Sequence, residues 1–272
     1  MTAARLSIAT WNVNSVRRRM DGLRWLAEEV APDILCLQET KVADGLFPAA
    51  EIAALGYPHQ AISGMKAYNG VAVLSKRPLH HVEARSWCGR DDARHIHATI
   101  DAGDAGEVEL HSLYVPAGGD VADPLKNPKF AHKLDFLTEL THWWAARGEG
   151  AGRRVMVGDF NIAPLASDVW SHERLRNVVT HTEIEIRHLL ALQASARWVD
   201  AIRLVHPETE PVFTWWSYRA ADWQDANKGR RLDHIWVSPD LVGRVDDVRV
   251  FREARDWAPP SDHVPVIMTL KV

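Results

Sequence analysis

Leu6-Ser7-Ile8-Ala9-Thr10-Trp11-Asn12-Val13-Asn14 begins as an apolar run of strand length and ends in two amides. A helical stretch follows it, with Met20, Leu23, Ala27 and Val30 on one face. Pro32-Asp33 then breaks into Ile34-Leu35-Cys36-Leu37, a run apolar enough to be covered on both faces. This second strand also runs straight into polar chemistry, Gln38-Glu39-Thr40-Lys41. Strand, helix and buried strand in succession are the plan of a layered α/β protein.

Working outward, the same alternation continues. Gly70 to Ser75, Arg94 to Ile100 and Val108 to Val115 read as strands, with Val108, Leu110, Ser112 and Tyr114 on one face. A long helix follows Pro128, carrying Phe130, Leu134, Leu137 and Trp144 at helical spacing. The second half repeats the plan: a strand at Val155 to Gly158, a helix near Glu183 to Ala196, and strands around Phe213 to Trp216 and Leu232 to Val237. Val245 to Phe251 and Val264 to Leu270 complete it. No linker or low-complexity tract intervenes. The expectation is one α/β (α+β) domain over residues 1–272, in two similar halves of about 1–147 and 148–272, with two sheets packed together and helices outside.

Composition narrows the class without choosing a partner. A chain with 46% apolar and 25% charged residues can bury a sizeable core. Cys36 and Cys88 sit in unrelated contexts, which argues against a disulfide framework or a structural zinc site and suits a reducing, cytoplasmic setting. The N-terminal residues lack an apolar signal-like region, and no apolar run is long enough to span a membrane. The formal net charge of −4 does not advertise a nucleic-acid binder, although basic residues cluster at Arg17-Arg18-Arg19, Lys126 to Lys133 and Lys228-Gly229-Arg230-Arg231. With no exposed heptad or repeat, a monomer is expected.

The chemistry lies at the strand ends. Trp11-Asn12-Val13-Asn14, Gln38-Glu39-Thr40-Lys41 and Gly158-Asp159-Phe160-Asn161 each follow an apolar strand. Asp233-His234 lies within another, and Ser261-Asp262-His263 opens the last. A carboxylate against a core strand is costly unless it is paired, hydrogen-bonded or bound to metal. Any one of these groups reads equally well as a satisfied structural residue or a helix cap. Four carboxylates and two amides on different strands instead suggest convergence at one sheet edge, where α/β folds gather their sites. Oxygen ligands without a cysteine cluster suit Mg²⁺ or Mn²⁺ rather than zinc. A neighbouring histidine can polarise a phosphoryl oxygen or carry a proton. Together these parts suggest metal-assisted attack of water on a phosphate ester.

The segments Trp11 to Ser15, Leu37 to Lys41, Gly158 to Pro164, Phe213 to Arg219, Arg231 to His234 and Ser261 to His263 resemble, in order and over nearly the whole chain, the exonuclease III-type AP endonucleases. The resemblance implies a four-layer sandwich of two mixed sheets face to face, flanked by helices. It further implies a Mg²⁺- or Mn²⁺-dependent enzyme of base-excision repair that incises 5′ to abasic sites in double-stranded DNA and trims blocked 3′ ends. By the same resemblance Glu39 is the principal metal ligand, with Asn12 and Asp262 nearby and Asp159 and Asn161 adjoining. Asp159 handles the attacking water or the leaving oxygen, and Asn161 positions water and phosphate. His263 contacts the phosphate with Asp233 fixing its tautomer, and Tyr114 offers its hydroxyl. Ala117 follows Tyr114-Val115-Pro116 where many relatives carry an amide, so one phosphate donor is missing or replaced.

For the DNA surface, the resemblance sets Trp215 beside a flipped-out abasic sugar, while Trp216 reads as core. Asn69 and Gly70 fall in a loop that reads as a backbone contact or as ordinary loop polarity. Arg94 reads as a DNA contact or a structural ion pair. Lys41 and Asn227 complete the set. His95, His97 and His111 show no ligand spacing tied to carboxylates and are read as structural. Two other functions fit the same fold: a phosphoesterase of the same superfamily acting on a non-DNA substrate, and a non-catalytic nucleic-acid-binding relative.

Overall fold

The computed structural model describes residues 4–148, 152–220 and 222–272 of the chain. In chain order its strands are β1 Arg5–Asn12, β2 Ile34–Gln38, β3 His59–Ser63, β4 Val71–Ser75, β5 His80–Ala84, β6 His95–Asp101 and β7 Glu107–Tyr114. They continue as β8 Arg153–Asp159, β9 Val199–Asp200, β10 Trp215–Trp216, β11 Gly229–Arg230, β12 Asp233–Val237, β13 Val245–Val250 and β14 Val266–Lys271. Two six-stranded sheets result, ordered β13-β14-β1-β2-β4-β3 and β5-β6-β7-β8-β12-β9, and β10 pairs with β11 as a separate ribbon. Each sheet is mixed, with one parallel pair (β1 with β2, β7 with β8) among antiparallel neighbours. The expected sandwich is therefore observed, and each sheet draws strands from both halves of the chain.

Alternation builds the layers. Leu6 and Ile8 of β1, Ile34 and Cys36 of β2, Leu110 of β7, Val155 and Val157 of β8 and Ile235 of β12 point inward and form one buried cluster between the sheets. The opposite faces of β1 and β2, with Ala9, Trp11, Leu35 and Leu37, meet Leu23 and Leu26 of the Met20–Val30 helical stretch. On the second sheet, Leu113, Met156 and Trp236 meet Phe136, Leu137, Leu140 and Trp144 of the Pro128–Arg147 helix, and Leu189 and Leu192 of the Glu183–Ser195 helix. Asn127 caps the first of these helices, and the reciprocal Thr182–Glu185 box caps the second. Among the described residues no helix is long and apolar enough to cross a membrane.

Sequence reading missed the edge strands β3 and β5. Solvent on the outer side removes the need for an apolar pattern, and β5 is exposed along its whole length. The strand expected around Phe213 to Trp216 shortens to the two-residue β10, because this segment serves the ribbon rather than a sheet.

Candidate active site

The inward faces that build the core turn polar at one rim. Thr10 follows Leu6 and Ile8 on the inner face of β1, and its hydroxyl donates to Gln38 Oε1 at 3.3 Å. Gln38 Nε2 donates in turn to Ser112 Oγ on the opposite sheet at 3.1 Å. One residue pair further along the same faces stand Asn12, Tyr114 and Asp159. Register sets Asn12 opposite Gln38, Tyr114 opposite Asp159 and Asp159 opposite Asp233. Period-two geometry thus carries the side-chain chemistry out of the core at a single edge.

Asn12 is the hub. Its amide donates to Glu39 Oε1 at 2.8 Å and to Asp159 Oδ2 at 2.9 Å, joining carboxylates from the two sheets. Its own carbonyl oxygen accepts the Asn14 amide N–H at 3.0 Å, so Asn12 acts here as donor and brace. Asp159 Oδ1 accepts the Asn161 backbone N–H at 2.9 Å, and Asn161 Nδ2 donates to Asp159 Oδ2 at 3.1 Å. His263 Nδ1 bonds Asp233 Oδ2 at 2.8 Å, while its Nε2 faces Asp159 Oδ2 at 3.6 Å. Asp233 itself is set by Thr214, whose hydroxyl oxygen accepts the Asp233 N–H at 3.1 Å. His263 is held from behind, its carbonyl accepting from Trp11 Nε1 at 3.1 Å.

Asp262 lies one link away. Its Oδ1 accepts from Asn14 Nδ2 at 3.0 Å and its Oδ2 from Trp215 Nε1 at 3.0 Å. Asn14 Oδ1 accepts from the Lys41 ammonium at 2.6 Å, and the same ammonium contacts Glu39 Oε2 at 2.6 Å. Glu39 and Asp262 are therefore joined through Lys41 and Asn14. Asn14 belongs to this network and was not singled out from sequence; its signal was its place two residues after Asn12 in a strand-end run. The backbone here is held in unusual conformations: Asn14, Glu39, Lys41 and Asn161 all have positive φ. Such non-glycine strain persists where the surroundings over-determine it, as at functional sites.

The electrostatics divide the roles. Burial, together with the Asp233 and Glu39 charges, pushes the Asp159 carboxyl up to about 7, against the opposing pull of His263. Burial alone would lower His263, but the Asp233 and Asp159 carboxylates raise it to about 10, so its imidazole is protonated at neutral pH. Burial and then the Glu39 and Asp159 charges hold the Tyr114 phenol well above its ordinary value, as a donor. Asp262 stays below the usual carboxylate range despite its burial, through His263 and the Trp215 and Asn14 donors. The tightest carboxylate–imidazole group, Asp159, Asp233 and His263, has ligating atoms within 4.8 Å of one another. Its imidazole is engaged by carboxylates on both sides, which favours its charged form. The oxygen donors of Glu39 and Asp262 fit a hard dication better, and the Lys41 ammonium already resting on Glu39 marks a place where positive charge is favoured.

The residues read as DNA contacts fall into two groups. Trp215 is half-buried beside Asp262, with the Arg230 guanidinium 5.2 Å over its ring. Arg94 stacks 4.8 Å over the Tyr114 ring and pairs with Asp92 at 2.5 Å. Both border the rim, and Arg94 lines a cavity of about 440 Å³ with Tyr68, Ala117, Lys129 and His132. Asn69, Gly70 and Asn227 each have structural partners. Asn69 is buried and donates to the Asp92 carbonyl at 2.8 Å. The Asn69 and Gly70 carbonyls accept the Lys41 and Thr40 N–H groups, which braces the Glu39 loop from behind. Gly70 has φ +92, and a Cβ there would overlap Thr40 Oγ1. Asn227 ends the Trp223–Ala226 helix in the left-handed region, its amide oxygen accepting from Trp216 Nε1 and Arg252 Nη2.

A further feature that sequence reading passed over is the fully buried Lys133. Its ammonium donates to the Asn161 carbonyl at 2.8 Å and to Glu185 at 2.5 Å. Glu185 in turn accepts the Thr180 and Thr182 N–H groups. One buried pair thereby ties two outer helices to the loop that carries Asp159 and Asn161.

Residues 9–263 match the model of the endonuclease/exonuclease/phosphatase family. The chain is 29% identical to exodeoxyribonuclease III of Haemophilus influenzae over 96% of its own length and 98% of the relative's. It is 30% identical to the DNA repair nuclease APEX1 of Danio rerio over 99% of its length and 84% of that protein's. Among solved structures, an AP endonuclease from Archaeoglobus fulgidus superposes with a TM-score of 0.89 at 34% identity, covering 98% of this chain and all of that one. A 3′ phosphatase from Neisseria bound to product DNA hairpin gives 0.89 at 33%, with 98% and 100% covered. The strand-end carboxylates, the two facing sheets and these full-length likenesses agree: this chain belongs to the endonuclease/exonuclease/phosphatase family.

Proposed function

We propose that the chain is a DNA repair hydrolase that incises 5′ to abasic sites and processes blocked 3′ ends, using Mg²⁺, with Mn²⁺ able to substitute, and acting as a monomer on double-stranded DNA. The observation that carries this reading is the Asn12-centred junction of Glu39 with Asp159, next to the Asp233–His263 pair. Those side chains come from strands far apart in sequence and have no packing reason to meet.

In this reading Asp159 takes the proton of the attacking water, which the Asn161 amide orients; its raised affinity for protons suits a base working near neutrality. His263, kept charged by Asp233, donates to a non-bridging phosphoryl oxygen. Tyr114 donates a second hydrogen bond to the phosphate from the facing strand. Asn12 keeps Glu39 and Asp159 at a fixed separation throughout. Glu39 and Asp262 would hold the dication, which when bound offsets the charge developing on the phosphoryl and leaving oxygens. Lys41, which now contacts Glu39, would then be free to meet the DNA backbone. Arg94 and Trp215 flank the phosphate, and Trp215 with its Arg230 partner forms a wall suited to a sugar without a base.

The deciding experiment offers the purified protein with Mg²⁺ a duplex carrying an abasic analogue, a 3′-phosphate duplex and an inositol phosphate. Nicking and 3′-phosphate release are expected, and both should fall about 10²–10⁴-fold in Asp159→Asn. Turnover of the inositol phosphate alone, or wild-type rates in Asp159→Asn, would sink the assignment.

A further inference from the structure

A second group of metal-ligating side chains lies away from the phosphate site, on the outer face of the second sheet. Antiparallel pairing sets His97 of β6 opposite His111 of β7, and Glu109 stands two residues before His111 on the same face. His111 Nε2 is 3.2 Å and His97 Nδ1 is 3.9 Å from the same oxygen, Glu109 Oε1. Ligand atoms around a tetrahedral ion with bonds of ~2.0–2.1 Å lie roughly 3.3 Å apart, so small side-chain rotations let all three share one ion. Both residues are more than nine-tenths buried, yet His97 Nδ1 has no hydrogen-bond partner. Buried polar atoms left in this way call for a partner.

The surroundings also fit. Glu83 on β5 stands opposite His97, with Oε2 3.4 Å from Nε2. That is the position of the outer carboxylate that fixes the tautomer of a ligating histidine, here leaving the Nδ1 lone pair free. Burial lowers the proton affinity of both His97 and His111, while His111 and Arg147 hold Glu109 down to about 2 against its burial. We propose that His97, Glu109 and His111 form a second site for a borderline dication of the Zn²⁺ class.

Two contacts must change on loading. Arg147 Nη2 bonds both Glu109 oxygens, at 2.8 and 2.7 Å, and would keep Oε2 while Oε1 turns to the ion. Trp87 Nε1 donates to His95 Nδ1 at 3.2 Å, so His95 carries its proton on Nε2 and gives it to His111 Nδ1 at 2.9 Å. That order leaves the His111 proton on Nε2. A metal at Nε2 moves the proton to Nδ1 and reverses the relay, and the Trp87 N–H loses its acceptor. The ion would join β5, β6 and β7 and, through Arg147, the end of the Pro128–Arg147 helix. The strands β6 and β7 abut Arg94 and Tyr114 at the phosphate rim.

The test titrates Zn²⁺ into the protein in excess Mg²⁺ and compares wild type with His97→Gln and Glu109→Gln. Wild type should bind one equivalent more than either variant, with a rise in melting temperature that both variants lack. Glu83→Gln should weaken that equivalent by about 10–100-fold. The Trp87 indole N–H resonance, assigned with Trp87→Phe, should shift on Zn²⁺ addition. Equal stoichiometry in folded wild type and variants would overturn the proposal. So would a Trp87 resonance indifferent to Zn²⁺, a result that needs no substitution at the site.

Discussion

Asp233 holds His263 by one hydrogen bond, to Nδ1, and its charge also reaches Asp159. Removing its charge while keeping its shape, as Asp233→Asn, takes away the strongest of the three carboxylates that raise His263. The imidazole then loses its proton at lower pH, so the alkaline limb of the kcat/KM profile should move toward acid. At neutral pH the rate should drop about 10²-fold or more. A pH–rate profile checks both, and an unmoved alkaline limb would remove His263 from the role of charged donor. At this scale sequence was most informative. Asp159, Asn161, Asp233, His263 and Glu39 were read as strand-end groups, and Tyr114 from the family resemblance. The division of labour was less legible. Asn69 and Asn227 look in sequence like polar loop residues, and each also has a local backbone or side-chain partner that sequence does not announce.

The Lys133–Glu185 pair belongs to the scale of the element. Lys133 sits on the apolar face of the Pro128–Arg147 helix, and in sequence it reads as part of a basic patch. The structure buries it completely, against a carboxylate on the neighbouring helix. Lys133→Met leaves Glu185 buried without its counter-ion and frees the Asn161 carbonyl, and should cost about 3–5 kcal/mol in urea denaturation. Restoring charge balance with a second change, Glu185→Gln, should recover only part of this, since the Thr180 and Thr182 N–H groups also depend on the carboxylate. A loss below about 1 kcal/mol in the single variant would show that the pair is not the clamp described. The same scale explains the missed strands: β3 and β5 are edges, where solvent relaxes the pattern that makes central strands legible.

For the whole molecule, His263 links function to stability. Its folded proton affinity, near 10, lies above the ordinary value of about 6.5. The charged pair with Asp233 therefore stabilises the fold fully below about pH 6.5, and that contribution is lost as pH rises through about 10. Metal-free wild type should lose stability between pH 7 and 10, and Asp233→Asn should lose less over the same span, by denaturant unfolding at each pH. Topology was legible only as a class. Two facing sheets followed from the element pattern, but the exchange of strands between the halves did not, since pairing partners far apart leave no local trace.

The pairing of β1 with β14, in which Arg5 faces Lys271, has a further consequence. Contacts this distant slow folding, because a long loop must close before they form. The Val272 N–H donates to the Ala4 carbonyl at 2.8 Å, so the two ends can be spliced by a short linker and the chain reopened at Gly148. Such a circular permutant should refold faster than the parent in stopped-flow measurements and still cleave DNA; slower refolding would contradict the argument. In the cell, β1 waits with one flank bare until β14 has been translated. His263, just upstream of β14, arrives in the same late stretch. Of the site's residues His263 is therefore the last to be made, and the site stays incomplete until then.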